Sequence, residues 1–175
     1  MARSGEEIGP LQRLLSGFGS LVLLAVLAFA AHGLRSCNRS TLVGAATVVD
    51  GDSLRVGGVM IRLKGVDAPE LHQTCEREGR PYRCGEEARR ALAHLAERDG
   101  LSCEIEGKDR YDRSLARCAA AGVDLGSAMV EGGHAVAYGD YRREEAAARA
   151  ARRGLWAGSF ERPQEWRREH PRPAR

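Results

Sequence analysis

Two short stretches of the sequence place acidic residues where an apolar run ends: VVDGDSLRV at 48–56 and IRLKGVDAPE at 61–70. Together they supply four carboxylates, which are those of Asp50, Asp52, Asp67 and Glu70. If the strands before the two turns are neighbours in a barrel, the turns converge, and the carboxylates repel one another unless a cation neutralises them. Carboxylates, backbone carbonyls and waters are the ligands of hard cations such as Ca²⁺ and Mg²⁺. The pattern therefore predicts a divalent-cation site, with Ca²⁺ as the first candidate.

Two arginines are placed to serve the same site. Arg62 precedes Asp67 on the same predicted strand, and Arg113 lies in the stretch DRYDRSLARC at 109–118. A planar guanidinium can bond two oxygens of one phosphate. A cation and two arginines beside carboxylates form a set of groups that can handle a phosphate.

The periodicity of apolar residues predicts the elements that must position these groups. A strand covers 41–50, one hairpin turns at the glycine pair of RVGGVM, and another surrounds the turn GKDRYD. Helical spacing marks residues 85–100, a short helix begins near Asp124, and a longer one covers about 142–153. Five short strands with about three helices predict an α+β protein, a five-stranded Greek-key barrel of the OB type.

The length and composition suit one such domain. The chain has 175 residues, of which 43% are hydrophobic, enough for a single core. Its formal net charge of +3 does not by itself predict nucleic-acid binding. We expect a signal or anchor segment with its linker at 1–40, the folded domain at 41–160, and a polar, flexible tail at 161–175.

The N-terminal segment contains a hydrophobic helix in this prediction. Residues 14–34 include no Asp, Glu, Lys or Arg, and about 20 such residues can span a bilayer. Two interpretations stay open: an uncleaved membrane anchor, or a signal peptide removed near the AFA at 28–30. Arginines that follow the segment favour a cytoplasmic domain, whereas the cysteines favour an extracytoplasmic or secreted one.

The cysteines show no spacing typical of a zinc site, and disulfides are the better interpretation. Cys103 and Cys118 lie on the two strands of a predicted hairpin, which brings them roughly opposite each other. Cys75 and Cys84 would close a short loop, and Cys37 is left over. The alternative for the hairpin pair is two buried free thiols.

The stretches VVDGDSLRV, IRLKGVDAPE, DRYDRSLA and GGHAVAY resemble the staphylococcal nuclease (thermonuclease) family in order and in spacing, over about residues 41–160. The resemblance implies an OB barrel with three helices. It also implies Ca²⁺-dependent hydrolysis of phosphodiesters in DNA or RNA, by an endonuclease that prefers flexible, single-stranded substrate.

The resemblance implies a role for each acidic residue. Asp52 and Asp67 match the metal-ligating aspartates of the family, and the carbonyl of Ala68 matches its backbone ligand. Asp50 matches no ligand directly and lies nearby as an outer-shell carboxylate. Glu70 matches the general base, which is ionised at neutral pH and can accept a proton from an attacking water.

The resemblance also implies a substrate-binding set. Arg62 and Arg113 match the pair that holds the scissile phosphate, so both are assigned to catalysis. Tyr111 matches a phosphate-contacting tyrosine and Tyr138 a nucleotide-stacking one, and Arg110 is assigned to substrate binding with them.

The sequence departs from the family pattern at two places that bear on substrate binding. Asp112 replaces the usual glycine before Arg113, and we expect this carboxylate to weaken phosphate binding. The second stacking tyrosine of the family has no clean counterpart, because Asp140 takes its place and Tyr141 comes one position late.

Two alternatives from other classes remain. One is a catalytically silent OB module that binds nucleic acid or protein at the membrane face. The other is a membrane-tethered interaction domain whose carboxylates hold a structural ion. The presence of both Glu70 and the arginine pair favours the enzyme, which we expect to be a monomer.

Overall fold

The computed structural model describes residues 40–171. The predicted hydrophobic helix at 14–34 and Cys37 lie outside the described residues. Within 40–171, no helix has the length and apolar character required to cross a membrane.

The chain forms short strands and helices in an order typical of an α+β fold. The strands are β1 (Thr41–Val43), β2 (Ala46–Val48), β3 (Ser53–Val56), β4 (Val59–Leu63), β5 (Val66–Asp67), β6 (Cys75–Arg77), β7 (Arg80–Tyr82), β8 (Ser102–Lys108), β9 (Ser114–Ala120), β10 (Val123–Asp124) and β11 (Val136–Ala137). The helices are α1 (Cys84–Ala96), α2 (Leu125–Glu131), α3 (Arg142–Ala150) and α4 (Pro163–Glu169), with a 3-10 turn at Gly154–Ala157.

The main sheet is a curled half-barrel of seven strands. Its order is β1-β8-β9-β4-β3-β2, with β10 paired to β9. The β4–β9 pair is parallel, and the other pairs of this sheet are antiparallel. Two small ribbons, β5–β11 and β6–β7, complete the described strands. The predicted OB-type α+β class is confirmed, although the described residues form more and shorter strands than the predicted five.

Glycines decide where the first strands break. The predicted strand at 41–50 is split into β1 and β2 at Gly44, which has a φ of 137°. Gly57 and Gly58 make the two-residue turn between β3 and β4, with φ values of 56° and 84°. Two successive positive φ angles are typical of the type I′ turn that suits the twist of a hairpin.

The core lies between the half-barrel and the first two helices. Its largest fully buried side chains include Leu54, Ile61, Leu92, Leu125 and Met129. The helix α1 packs on β2 and α2, and α2 packs on β9. Apolar residues at helical spacing predicted α1, and the structure confirms that these residues form the buried face of the helix.

The C-terminal segment differs from the predicted flexible tail. Residues 163–169 form α4, which has Pro163 in its first turn, where the missing N–H of proline is tolerated. Pro163 is buried, and Trp166 stacks on His170 with the ring centroids 4.4 Å apart. The sequence PQEWRRE shows no apolar periodicity, so this helix could not be predicted from the pattern.

Both predicted disulfides are present. Cys103 and Cys118 are direct partners in the β8–β9 register, with their Cα atoms 4.0 Å apart. The second bridge joins Cys75 on β6 to Cys84 at the start of α1, with a Cα distance of 5.6 Å. The two bridges therefore fix the central hairpin and the loop that precedes α1.

We expect the double variant Cys103→Ala/Cys118→Ala to lose about 3 kcal/mol of unfolding free energy. The bridge closes a loop with a sequence separation of 15, and its removal restores entropy to the unfolded chain. Urea unfolding under oxidising conditions measures the change. The comparison is made between two proteins that both carry Cys75→Ala/Cys84→Ala, one with and one without Cys103→Ala/Cys118→Ala, so that the second bridge contributes to neither. Equal stabilities in that background would contradict the prediction.

Candidate active site

The turn between β2 and β3 holds the first two predicted aspartates in a fixed position. The backbone N–H of Asp52 donates to Oδ1 of Asp50 at 3.1 Å, and the Val49 N–H donates to the Ser53 carbonyl at 2.9 Å. Gly51 lies between the aspartates, and a Cβ there would come within 2.7 Å of the Cβ of Ala68. The Asp-Gly-Asp pattern thus has a physical reason, because only glycine lets this turn approach the chain after β5.

Arg62 joins the two acidic turns. Its Nη1 donates to Oδ1 of Asp52 at 2.8 Å, and its Nη2 contacts Oδ2 of the same carboxylate at 2.7 Å. The Nη2 group also donates to Oδ1 of Asp67 at 2.9 Å. The backbone N–H of Ala68 donates to Oδ2 of Asp52 at 3.2 Å, which adds a direct link between the turns. Both aspartates are 3% exposed, so their charges are shielded from water and held by this network.

The burial of Asp52 changes its acid–base behaviour. Burial raises the pKa of the Asp52 carboxyl to about 7, and the nearby charges of Asp50 and Asp67 add to the rise. Arg62 and the Ser53 hydroxyl oppose it. Additional positive charge beside Asp52 would favour its ionised form.

A third arginine, which the sequence did not identify, also reaches this cluster. Arg167 on α4 bonds both oxygens of Asp67, with Nη1 to Oδ1 at 3.0 Å and Nη2 to Oδ2 at 2.9 Å. Its Nη1 also donates to Oε1 of Glu70 at 3.1 Å. Burial on its own would lower the pKa of Arg167, but the hydrogen bonds and charges of Asp67 and Glu70 raise it above its ordinary value.

The backbone of Glu70 is fixed by a buried glutamine, Gln73, that no sequence motif indicates. Gln73 is fully buried, and its Oε1 accepts from the Glu70 N–H at 3.2 Å. The N–H of Gln73 donates to the Glu70 carbonyl at 2.7 Å. A Cβ at Gly85 would come within 1.8 Å of that carbonyl, so the start of α1 packs directly on Glu70. A glutamine in a loop carries no motif, and only its burial reveals its role.

The predicted substrate-binding residues of the β8–β9 turn form their own group. Arg113 pairs with Asp109, with its Nε donating to Oδ2 at 2.7 Å, and its guanidinium lies 5.4 Å from the centroid of the Tyr111 ring. Arg110 lies over the same ring at 4.8 Å. Within the described residues, the ion pair of Arg113 is with its own turn and not with the cluster around Arg62.

The two predicted aromatic contacts for substrate are open to solvent. Tyr111 is 64% exposed and Tyr138, which follows β11, is 65% exposed. The backbone N–H of Tyr138 donates to the carbonyl of Gly65 at 2.9 Å, just before β5. An exposed ring anchored in this way can stack on a base without rearrangement of the core.

The structure explains both departures from the family pattern. Asp112 has a φ of 62°, the left-handed conformation that favours glycine, and its side chain pairs with Lys108 at 2.6 Å rather than with Arg113. The Tyr141 hydroxyl donates to Asp124 at 3.0 Å and accepts from Arg117, and burial raises its pKa to about 12. The half-buried Tyr141 ring therefore packs against the core and is not placed as the exposed stacking ring.

The acidic cluster has the chemistry of a hard-cation site but not its assembled geometry. Carboxylate oxygens are the donors that Ca²⁺ takes, and Asp52, Asp67 and Glu70 supply them. Within residues 40–171, however, no three His, Cys, Asp or Glu side chains are grouped so that they could hold a metal ion. Guanidinium groups neutralise these carboxylates instead.

The fold and site define a small α+β half-barrel of the OB type, with an acidic cluster bound by arginines. A family model described as staphylococcal nuclease homologue matches residues 60–158. The chain belongs to this family, and the resemblance predicted from sequence is confirmed.

Relatives are found in bacteria and plants. The chain is 37% identical over 123 residues to the succinoglycan biosynthesis protein ExoI of Rhizobium meliloti (strain 1021), which covers 66% of this chain and 64% of that protein. It is 34% identical over 122 residues to the probable staphylococcal-like nuclease CAN4 of Oryza sativa subsp. japonica, covering 66% of this chain and 23% of that protein. An uncharacterized endonuclease of Haemophilus influenzae is 28% identical over 161 residues, covering 85% of each chain. The chain thus spans less than two thirds of the length of the first two relatives.

Proposed function

We propose that this protein is a Ca²⁺-dependent nuclease that hydrolyses phosphodiesters of DNA or RNA. The observation that carries the proposal is the bridge from Arg62 to two buried aspartates, with Glu70 at the same place. A structural turn has no need of such a set, whereas phosphoryl transfer needs positive charge, an anchored arginine and a base in one place. Membership of the nuclease family supports the same conclusion.

Each residue has a role in this proposal. Asp52, Asp67 and the Ala68 carbonyl would hold the cation, with Asp50 behind them, and the cation would supply positive charge for the phosphate. Glu70 accepts the proton of the attacking water. Gln73 and Gly85 fix the backbone of Glu70 and so hold its carboxylate in position.

The arginines and tyrosines would bind the substrate. Arg62 is 18% exposed, and a guanidinium has more N–H donors than its aspartate contacts use, so it can also bond a phosphoryl oxygen. Arg113 is 31% exposed on a turn and would swing from Asp109 to the phosphate. Tyr111 and Arg110 would contact the strand beside it, and Tyr138 would stack on a base of flexible, single-stranded substrate.

The proposal also includes the cellular compartment in which the protein acts. Two disulfides support an extracytoplasmic domain, because such bonds persist in oxidising compartments. We propose that residues 14–34 either anchor the protein in a membrane or are removed on secretion, and that the protein acts as a monomer.

The decisive experiment is a cleavage assay of the purified chain with and without Ca²⁺. We expect a labelled single-stranded oligonucleotide to be cut in the presence of Ca²⁺ and to survive after chelation with EGTA. Asp67→Asn should lose the response to Ca²⁺, because it removes one carboxylate charge from the cluster. The exposed control Asp99→Asn should keep it.

One observation favours a second candidate, an OB module that binds nucleic acid without cutting it. The acidic cluster is already neutralised by arginines within the described residues. In the same assay, retention of the oligonucleotide on the protein without cleavage, with or without Ca²⁺, would establish that candidate and overturn the nuclease.

A further inference from the structure

The helix α4 places a positive charge on two carboxylates that the proposed function uses. Arg167 bonds both oxygens of Asp67 and one oxygen of Glu70, at 2.9 to 3.1 Å. The Asp67 side chain is 4% exposed and that of Glu70 is 16% exposed. A fork-like pair of bonds to one carboxylate is among the stronger ionic contacts that proteins make.

The segment that carries α4 is fastened to the domain independently of Arg167. The backbones of Glu76 and Ser159 exchange two hydrogen bonds, at 2.9 and 3.0 Å. The Nε2 of the buried Gln73 donates to the Glu161 carbonyl at 2.7 Å. We call residues 159–170 the C-terminal arm, and these bonds fix its beginning beside the acidic cluster.

The far part of the arm is held less firmly. Trp166 is only half-buried, and residues 168–170 are exposed. The contacts that the described structure shows between Arg167 and the domain are those to the two carboxylates. Release of Arg167 could therefore free the end of α4 while the arm stays attached at Glu161.

Arg167 and a divalent cation require the same oxygens. Oδ1 of Asp67 accepts from Arg62 and Arg167, and Oδ2 accepts from Arg167. A cation bound to this carboxylate would also face a guanidinium of like charge at hydrogen-bonding distance. Arg62 contacts Oδ1 of Asp67, whereas Arg167 bonds both oxygens, so a cation can take Oδ2 only after Arg167 has left.

We propose that the C-terminal arm is an autoinhibitory element, in which Arg167 competes with the divalent cation for Asp67 and at the same time pairs with the base, Glu70. Binding of the cation displaces Arg167 and frees the end of α4, and the arm raises the concentration of cation that the site needs. This inference rests on the proposed function, because it places the cation at Asp67.

The test measures Ca²⁺ binding directly by isothermal titration calorimetry of the full chain. A site that Arg167 leaves open in only a fraction of the molecules binds with its intrinsic affinity multiplied by that open fraction. We expect Arg167→Ala to bind Ca²⁺ about 10-fold more tightly than the wild type, a value discounted for the partial exposure of the ion pair.

Two variants separate competition from a change in net charge. Arg168→Ala removes the same charge from the exposed side of α4, and we expect a much smaller change in affinity. Arg167→Lys keeps the charge but loses the planar fork, and we expect an affinity between those of the wild type and Arg167→Ala. Equal affinities of Arg167→Ala and Arg168→Ala would overturn the proposal.

A second readout follows the arm itself. The chain has two tryptophans, so Trp156→Phe leaves Trp166 of α4 as the single fluorescent reporter. We expect Ca²⁺ to change the emission of Trp166 in this background, and we expect no such change once Arg167→Ala is added. A Ca²⁺ response of equal size in both proteins would contradict displacement of the arm.

Asp67→Asn distinguishes this inference from the proposed function. If Asp67→Asn weakens Ca²⁺ binding while Arg167→Ala has no effect, the cation site stands and the competition is overturned. If Asp67→Asn leaves Ca²⁺ binding unchanged, the cation does not bind at Asp67, and both the competition and the proposed Ca²⁺ site are overturned.

Discussion

We expect Glu70→Gln to lower kcat about 10²- to 10⁴-fold, the usual contribution of a positioned general base, which is the role we propose for Glu70. The amide has nearly the size of the carboxylate, and its oxygen can still accept from Arg167. It cannot take a proton from water, however, so the loss falls on the chemical step. The backbone of residue 70 stays in place because Gln73 and Gly85 hold it.

The measurement is single-turnover cleavage of an oligonucleotide at saturating Ca²⁺, with Ca²⁺ affinity measured on the same samples. Glu165→Gln, an exposed position on α4, makes the same change of charge away from the carboxylates and should keep full activity. A Glu70→Gln protein that cuts at the wild-type rate would remove Glu70 as the base.

Local spacing explains why the centre of the site could be predicted from the sequence. Arg62 lies 10 residues from Asp52 and 5 from Asp67, and the β3–β4 hairpin places Arg62 opposite Ser53. Turn chemistry and strand register over such short distances are fixed by nearby residues. The cluster of Asp52, Arg62 and Asp67 can therefore be predicted from a sequence motif.

The contact of Arg167 with the same cluster has no local signal. It joins residues 100 positions apart, through a polar helix whose sequence shows neither an apolar face nor a motif. Gln73 is similar, because its hydrogen bond to the Glu161 carbonyl spans 88 positions. Contacts of this kind depend on how the finished fold brings the chain back on itself.

The same distinction applies to the fold. The hairpins, the disulfides and α1 to α3 followed from local periodicity and turn residues, and the structure confirms them. The break at Gly44 and the helix α4 did not. Pairing of Tyr141 with Asp124 and Arg117 was also missed, since a tyrosine near a motif can as easily point inward as outward.

We expect Arg62→Lys to lower kcat about 10²- to 10³-fold, the loss that follows when one donor to the transition-state charge is removed. One ammonium cannot reproduce the bonds that the guanidinium makes to Asp52 and Asp67 while also reaching a phosphate. The positive charge is retained, so the two buried carboxylates are still neutralised and the fold should persist.

The effect should appear equally in kcat and in kcat/KM, because the lost bonds strengthen only as the phosphoryl charge grows. Arg55→Lys is the matched control, since this exposed arginine on β3 donates to the Gly58 carbonyl at 3.0 Å and touches no carboxylate of the site. Circular dichroism at the assay temperature verifies that both variants are folded. If Arg62→Lys changes KM alone, Arg62 stabilises the bound substrate and the transition state equally. It would then contribute nothing specific to the chemical step.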